Sequence, residues 1–257
     1  MLVTSLSCGS IVGPMKEVIG LVPRLLDRQP LSNIFGGSYT SYICTLPDKT
    51  DKKSCEDYNG TNLNPVRPIN PGERGEPFYV YCEDDGGVVI QRRTDLSIDF
   101  NRSWNDYYHG FGDLNGDHWL GLKKIARIRY RNWPICLIKV LFDNDEYANG
   151  TCRSLFNEKL QWGAHRSCSK YHTGPLKHLL RARGNEPFYA PGGSLTNISS
   201  TLAHGRQCAD TCGGGWWYSQ ERCRGNINGI LTNMGTDCES WPKTVVKTWM
   251  KLIPSND

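Results

Sequence analysis

The sequence lacks two kinds of segment that mark large classes of protein. It contains no apolar run of about 18 residues, the length that a membrane helix needs, and the strand-sized run at residues 135–142 is interrupted by Lys139. It has no basic block either, because 30 Lys and Arg are spread among 26 Asp and Glu and the net charge is only +4. We therefore expect neither a membrane span nor a nucleic-acid partner.

Sequence motifs of catalysis are also missing. There is no Gly-x-Ser-x-Gly elbow and no His-Glu-x-x-His zinc motif, and the glycine cluster at residues 110–116 has the wrong spacing for a phosphate-binding loop. We therefore do not expect the chain to be an enzyme.

Cysteine, in contrast, is abundant. The 11 cysteines are scattered along the chain, which is typical of disulfide-bonded proteins made in an oxidising compartment. We therefore predict a secreted, extracellular glycoprotein. The Asn-x-Ser/Thr sequons that fit this compartment are Asn59, Asn101, Asn149 and Asn197.

Residues 1–50 are predicted to be a leader or linker ahead of the domain. Residues 1–13 are mildly apolar but have no positively charged start and no clear cleavage site, so they indicate a signal peptide only weakly. Residues 14–28 place apolar side chains on one helical face, as in a short helix. Turn-forming residues dominate from 36 to 75, and we place the start of the domain at residue 51.

Local patterns in the rest of the chain predict an α+β domain. Two β-rich runs, at residues 78–82 and 88–92, flank a turn-forming sequence, as in a hairpin. A helix is predicted over residues 100–109, with Asp99 as its N-cap and Gly110 as its stop. Strands do not alternate with long helices, so we expect the sheet to be antiparallel.

A second hairpin is predicted from strands at residues 135–142 and 151–156. Cys136 and Cys152 lie at equal distances from its midpoint, Asn144. Opposed residues of an antiparallel pair are roughly 4.5 to 5.5 Å apart at Cα, a separation that a disulfide can bridge. We therefore predict a Cys136–Cys152 disulfide.

Three segments carry a more specific pattern. Residues 80–93 read VYCEDDGGVVIQRR, residues 99–121 read DFNRSWNDYYHGFGDLNGDHWLG, and residues 208–229 contain CA, GGWWY and NING in that order. Together they resemble the signature segments of the fibrinogen-related domain family, which includes the fibrinogen C-terminal globules, ficolins, tachylectins and angiopoietin C-terminal domains. The resemblance covers residues 51–257. It implies a fibrinogen C-terminal-like domain, with a short helix packed on a twisted antiparallel sheet and a loop-rich C-terminal ligand-binding lobe.

The resemblance also implies particular disulfides and a binding site. It pairs Cys55 with Cys82 and Cys208 with Cys223, and it places a ligand pocket beside Cys223 whose preceding peptide bond is cis. Arg224 stands where ficolin-like members have His, and a guanidinium suits an anionic group. The residues predicted to bind the ligand are Trp217, Tyr218, Arg222, Cys223, Arg224, Asn226 and Asn228.

Two functions follow from the resemblance. The first is a secreted, lectin-like recognition protein of innate immunity that binds carbohydrate or acetylated ligands. The alternative is a protein-binding module of the same fold, as in the angiopoietin-like members, which binds a receptor or an immune partner without sugar or calcium.

No metal or other cofactor is predicted. The family's calcium loop precedes the position of Cys208, but residues 191–207 contain no Asp or Glu here. His204, Cys208, Cys212 and Cys223 have a spacing that zinc ligands can also have, although disulfide pairing accounts for two of them. An odd thiol would favour a disulfide-linked oligomer. The cysteines left without an assigned partner are Cys8, Cys44, Cys168, Cys212 and Cys238.

Overall fold

The computed structural model divides the chain into two compact units, Met1–Pro47 and Asp48–Asp257. The domain start that we place at residue 51 stays a prediction. The structure describes residues 7–11, 41–45, 50–58, 64–72, 75–95, 97–128, 135–142, 147–153, 187–194, 203–218, 223, 226–229 and 245–254. The helix predicted for residues 14–28 lies outside them.

The first unit is described as one strand pair. Strand β1 (Ser7–Ile11) runs antiparallel to β2 (Ser41–Thr45), and Cys8 lies directly opposite Cys44. This pair could not be predicted from the sequence, because Cys44 is embedded among residues typical of turns.

The strands of the second unit are, in chain order, β3 (Val66–Ile69), β4 (Phe78–Cys82), β5 (Val88–Arg93), β6 (Phe111–Gly112), β7 (His118–Trp119), β8 (Ile135–Phe142), β9 (Tyr147–Arg153), β10 (Tyr189–Ala190), β11 (Gly193–Ser194) and β12 (Val245–Ile253). An 8-stranded sheet has the order β3-β4-β5-β12-β8-β9, with β7 joined to β5 and β6 to β7. Its pairs are antiparallel, as expected. The last strand of the chain therefore lies in the middle of the sheet.

The predicted hairpin at residues 135–156 is present in a slightly different form. Its second strand begins at Tyr147, four residues earlier than predicted, because the pairing continues close to the turn. Cys136 lies directly opposite Cys152, as the symmetry of the sequence indicated. The side chains of these two cysteines lie outside the described residues, so their disulfide stays a prediction.

The first α-helix, α1 (Trp104–His109), is shorter than predicted. It begins after Ser103, not after Asp99, because the Ser103 and Asp106 side chains form a capping box with each other's backbone N–H groups. Asp99 instead accepts a hydrogen bond from the Asn101 backbone N–H within the preceding turn. Gly110 ends the helix with φ of 98°, a left-handed conformation that disfavours other residues.

Among the described residues there are two further α-helices and a short 3-10 helix. Helix α2 spans Leu122–Ile128 and α3 spans Ala203–Cys212, while the 3-10 helix spans Cys55–Tyr58. Neither α-helix was predicted, because both are short and α3 carries Gly and two Cys in place of a clear apolar stripe. No helix in the described part of the chain is long and apolar enough to cross a membrane.

An aromatic cluster forms the centre of the core. Phe188 stacks on Trp119 with ring centroids 5.6 Å apart and meets Trp217 edge to face at 4.8 Å. Tyr107 of α1 contacts both Trp119 and Phe188 at 5.4 Å. Such pairs add to the stabilisation that burial alone supplies. The cluster joins α1, the sheet and the C-terminal lobe into one core.

Candidate functional site

The frame of the predicted site begins with a disulfide. Cys208 of α3 is bonded to Cys223, with Cα atoms 5.1 Å apart, and the predicted Cys55–Cys82 disulfide is also present. Cys212, at the end of α3, is in a disulfide as well. Cys223, five residues after Tyr218, is therefore tied covalently to α3.

Hydrogen bonds close this loop at its two ends. The Tyr218 hydroxyl donates to the Gly214 carbonyl at 2.8 Å and accepts from Asn226 Nδ2 at 2.5 Å. Asn226 Oδ1 accepts from the Asn228 backbone N–H at 2.8 Å, and Asn228 Nδ2 donates to the Gly215 carbonyl at 3.0 Å. All these groups are buried. Each bond satisfies a polar group that would otherwise be costly to remove from water.

The same network reaches the central strands of the sheet. Gln91 Nε2 of β5 donates to Asn228 Oδ1 at 3.1 Å and to Thr248 Oγ1 of β12 at 2.7 Å. Arg93 donates from Nη1 to the Gly229 carbonyl at 2.6 Å while its guanidinium lies over the Phe100 ring, 5.1 Å from the centroid. The loop is thus held to the sheet from two sides.

Gly214 is required for this arrangement. A Cβ atom at this position would lie 2.5 Å from the Asn228 backbone oxygen, closer than any side chain can approach. Only glycine lets the segment before Trp216 and the Asn226–Gly229 turn come this close.

Burial has an electrostatic consequence at Tyr218. Its side chain is fully buried, and loss of solvation raises the pKa of its hydroxyl well above the ordinary value, with Tyr107 adding to the effect and the Asn226 hydrogen bond opposing it. The hydroxyl is therefore a neutral donor and acceptor under physiological conditions, which is the state that both of its hydrogen bonds need.

The predicted ligand-binding residues that the structure describes are all internal. Their exposed fractions are 3% for Trp217, 0% for Tyr218, 6% for Cys223, 3% for Asn226 and 0% for Asn228. The structure brings them together beside one another, and their side chains are engaged with the protein itself. Arg222 and Arg224 lie outside the described residues, and so does the predicted cis bond before Cys223.

Two residues of this network, Gln91 and Thr248, were not predicted from the sequence. Gln91 lies in the VIQRR segment on which the family resemblance partly rests. The sequence did not indicate that this side chain bonds Asn228. Thr248 has no signal in the sequence that would separate it from an ordinary strand residue.

The described residues contain one group with the spacing of metal ligands. His204, Cys208 and Cys223 have ligand atoms within 4.8 Å of one another, and His204 Nε2 is 3.6 Å from Cys208 Sγ. The two sulfurs are bonded to each other, however, and metal ligation requires thiolates. The group therefore does not fit a metal while the disulfide is intact.

One predicted glycosylation site can be placed. Asn101 is exposed, immediately ahead of α1. The side chains of Asn59, Asn149 and Asn197 lie outside the described residues.

Comparison with known proteins gives the same family throughout. The family model "Fibrinogen beta and gamma chains, C-terminal globular domain" matches residues 51–254. Mouse fibrinogen-like protein 1 is 27% identical over 94% of this chain and 84% of its own length. Human angiopoietin-related protein 3 is 31% identical over 64% of this chain, which corresponds to only 34% of that protein.

Solved structures show the same fold. The fibrinogen-like globe domain of human ANGPTL6 matches with a TM-score of 0.57 at 22% identity, over 83% of this chain and 99% of the domain. A lamprey fibrin D-dimer, solved with the peptide Gly-His-Arg-Pro-amide, matches with a TM-score of 0.57 at 21% identity, over 82% of this chain and 76% of that one. The chain belongs to the family of fibrinogen C-terminal globular domains.

Proposed function

We propose that the chain is a secreted, non-enzymatic recognition domain that binds a protein partner through its C-terminal lobe. The relatives are fibrinogen-like and angiopoietin-related proteins, and the related lamprey domain was solved with a bound peptide. These likenesses favour the protein-binding module over the lectin as the first function to test.

The burial of the predicted pocket residues carries this proposal. A sugar-binding pocket needs aromatic faces and amide groups that a ligand can reach, whereas Trp217, Tyr218, Asn226 and Asn228 are at most 3% exposed. Their donors and acceptors are used within the protein. We assign them the role of positioning residues, which fix the chain at Tyr218 and at Asn226–Asn228, on either side of residues 219–225.

The loop that they hold is rich in charge. Residues 219–225 read SQERCRG, with Glu221, Arg222 and Arg224 on either side of the Cys223 disulfide. Tyr218, Cys223 and Asn226 are already held by the protein, so these three points need no further ordering on binding, which favours affinity. We propose that Arg222 and Arg224 contact acidic groups of the partner, since a guanidinium forms paired hydrogen bonds with a carboxylate.

The experiment compares two kinds of array. The full secreted chain is applied to an array of receptor ectodomains and to an array of N-acetylated glycans, alongside its Arg224→Ala variant. We expect a hit on the protein array that Arg224→Ala weakens by about 1.5 to 3 kcal/mol, the range for a hydrogen bond to a charged group. Lys123→Ala is the control, because Lys123 is an exposed cation on α2 and its loss removes the same charge.

Two outcomes would contradict the proposal. Binding to N-acetylated glycans that Arg224→Ala abolishes and Lys123→Ala spares would restore the lectin function and reject the protein-binding one. Protein binding that both variants weaken equally would place the contact outside this loop.

A further inference from the structure

The first unit of the chain contains two cysteines, and the register of its strands places them opposite each other. Strands β1 and β2 run antiparallel, and Cys8 and Cys44 form the second of five consecutive opposed pairs. Each step along one strand is matched by one step along the other, so the register is the same over the whole length of both strands.

The separation of opposed residues suits a disulfide. Directly opposed residues of an antiparallel pair lie on the same face, with Cα atoms roughly 4.5 to 5.5 Å apart. Disulfides usually join residues whose Cα atoms are about 4.4 to 6.8 Å apart. The Cα separations in two disulfides of the second unit, 5.5 Å and 5.1 Å, lie in the same range.

Most cysteines of the second unit have partners there. Six of its nine cysteines are bonded to one another or directly opposed: Cys55 and Cys82, Cys208 and Cys223, and Cys136 and Cys152. Cys212 is in a disulfide as well. If Cys8 is bonded to Cys44, the partner of Cys212 within the chain is Cys168 or Cys238, and the other of these two is the odd cysteine among the 11.

The small size of the first unit gives a physical reason for a cross-link. The unit comprises Met1–Pro47, and the sheet that the structure describes in it has two strands. A two-stranded hairpin alone is at best marginally stable in water, and natural units of fewer than about 70 residues often contain disulfides. A bond between Cys8 and Cys44 would restrict the unfolded chain and so stabilise the paired strands.

We propose that Cys8 and Cys44 form an intramolecular disulfide that closes the first unit. The two thiols lose two protons and two electrons as the sulfur–sulfur bond forms. A disulfide oxidant, either a protein disulfide of the isomerase type or glutathione disulfide, takes up both and is cleaved into two thiols. Such oxidants act in the secretory pathway, so the disulfide rests on the proposed secretion of the chain.

The first test is peptide mapping of the full-length chain without reduction. Free thiols are blocked with a maleimide, and the monomer is isolated by size in denaturant. Trypsin then releases Cys8 in residues 1–16 and Cys44 in residues 29–49, and neither peptide contains a second cysteine. We expect the two peptides to be recovered as one linked species. The Cys55–Cys82 link in the same digest is the internal control.

Serine variants provide a second readout. Cys8→Ser should add one free thiol, at Cys44, and Cys44→Ser should add one at Cys8, each detected as maleimide label or as additional covalent dimer. The matched control is Cys8→Ser/Cys44→Ser, which should add neither. Any covalent dimer of the wild-type chain should persist in this double variant, because the odd cysteine then belongs to the second unit.

A displaced pair of cysteines tests the register itself. Ser10 and Tyr42 are opposed two residues further along the strands, so they form the same kind of pair on the same face as Cys8 and Cys44. In the Cys8→Ser/Cys44→Ser background, Ser10→Cys/Tyr42→Cys should form a cross-link. Ser10→Cys/Ile43→Cys is the control and should not, because adjacent residues of a strand lie on opposite faces.

The results that would overturn the proposal can be told apart. If Cys55 is linked to Cys82 but Cys8 carries maleimide, is linked to another peptide or is missing from the secreted chain, the Cys8–Cys44 disulfide alone is wrong. If Cys55 and Cys82 are also free thiols, the proposed secretion is wrong together with the disulfide. Equal cross-linking of the opposed and the displaced cysteine pairs, or of neither, would reject the register on which the disulfide depends.

Discussion

The Tyr218 hydroxyl provides the most direct test of the buried hydrogen bonds that connect Tyr218 with Gly214 and Asn226. Tyr218→Phe removes one oxygen and keeps the ring, so packing changes little. The substitution leaves the buried Gly214 carbonyl and the buried Asn226 amide without their partner. An unpaired buried polar group costs about 1 to 3 kcal/mol, so we expect the free energy of unfolding to fall by about 2 to 3 kcal/mol. For a domain of this size that is roughly 4 to 12 °C in Tm.

The matched control is Tyr108→Phe. Tyr108 is half-buried on α1, and its hydroxyl has no hydrogen bond to any part of the chain that the structure describes. We expect this change to alter the free energy of unfolding by less than about 0.5 kcal/mol. Urea unfolding followed by tryptophan fluorescence measures both variants under the same conditions.

The pH dependence gives a second readout of the same hydroxyl. Burial raises the pKa of Tyr218 in the folded chain, whereas in the unfolded chain it ionises near about 10. Above that pH the unfolded state loses a proton that the folded state keeps, so stability falls as the pH rises, by about 1.4 kcal/mol per pH unit for each such tyrosine. Tyr107, also fully buried with a raised pKa, contributes a similar slope.

Between about pH 9 and pH 11 we therefore expect Tyr218→Phe to lose stability less steeply than Tyr108→Phe. If Tyr218→Phe unfolds at the same urea concentration as the control and with the same pH slope, the hydroxyl is not a buried, bonded group. The positioning role that we assign to Tyr218 would then be wrong.

Other predictions concern single features of the domain. Gly214→Ala should lower the free energy of unfolding by about 2 kcal/mol or more, because its Cβ would overlap the Asn228 backbone, whereas Gly116→Ala meets nothing closer than 3.9 Å and should be nearly neutral in the same melting assay. Removing calcium with EDTA should leave Tm unchanged, and a clear drop would reveal a calcium site. Non-reducing peptide mapping should recover Cys136 linked to Cys152, and finding either as a free thiol contradicts the hairpin disulfide. A non-reducing gel of the full-length chain, with Cys8 retained, should show some covalent dimer, since 11 cysteines cannot all pair within one chain.

Secondary structure could be predicted from the sequence where the local pattern of residues determines it. The strands at residues 78–82 and 88–92 follow from β-branched and aromatic residues around a turn, and the structure has them at Phe78–Cys82 and Val88–Arg93. The start of α1 was misplaced because Asp99 and Ser103 are both good N-caps. What separates them is the capping box with Asp106.

The interior of the site was less predictable, because its partners are distant in sequence. Asn228 is held by Gln91, a residue 137 positions earlier. Nothing in the pattern around Asn226 and Asn228 distinguishes an amide that faces a ligand from one that is used inside the protein. The family resemblance therefore indicated the correct region of the fold. That Asn226 and Asn228 are buried and bonded within the protein follows only from the structure.

The position of β12 connects the centre of the sheet to the hydrogen bonds around Asn228. Strand β12 lies between β5 and β8 and pairs with both, although both occur much earlier in the sequence. Its inward Thr248 accepts a hydrogen bond from Gln91, which also donates to Asn228, and its half-buried Trp249 points to the other face of the sheet. Because side chains alternate along a strand, a shift of β12 by one residue would exchange these two positions. It would bury an indole where a hydroxyl now bonds Gln91. The register of one strand therefore determines whether Gln91 can bond Thr248 and Asn228 together.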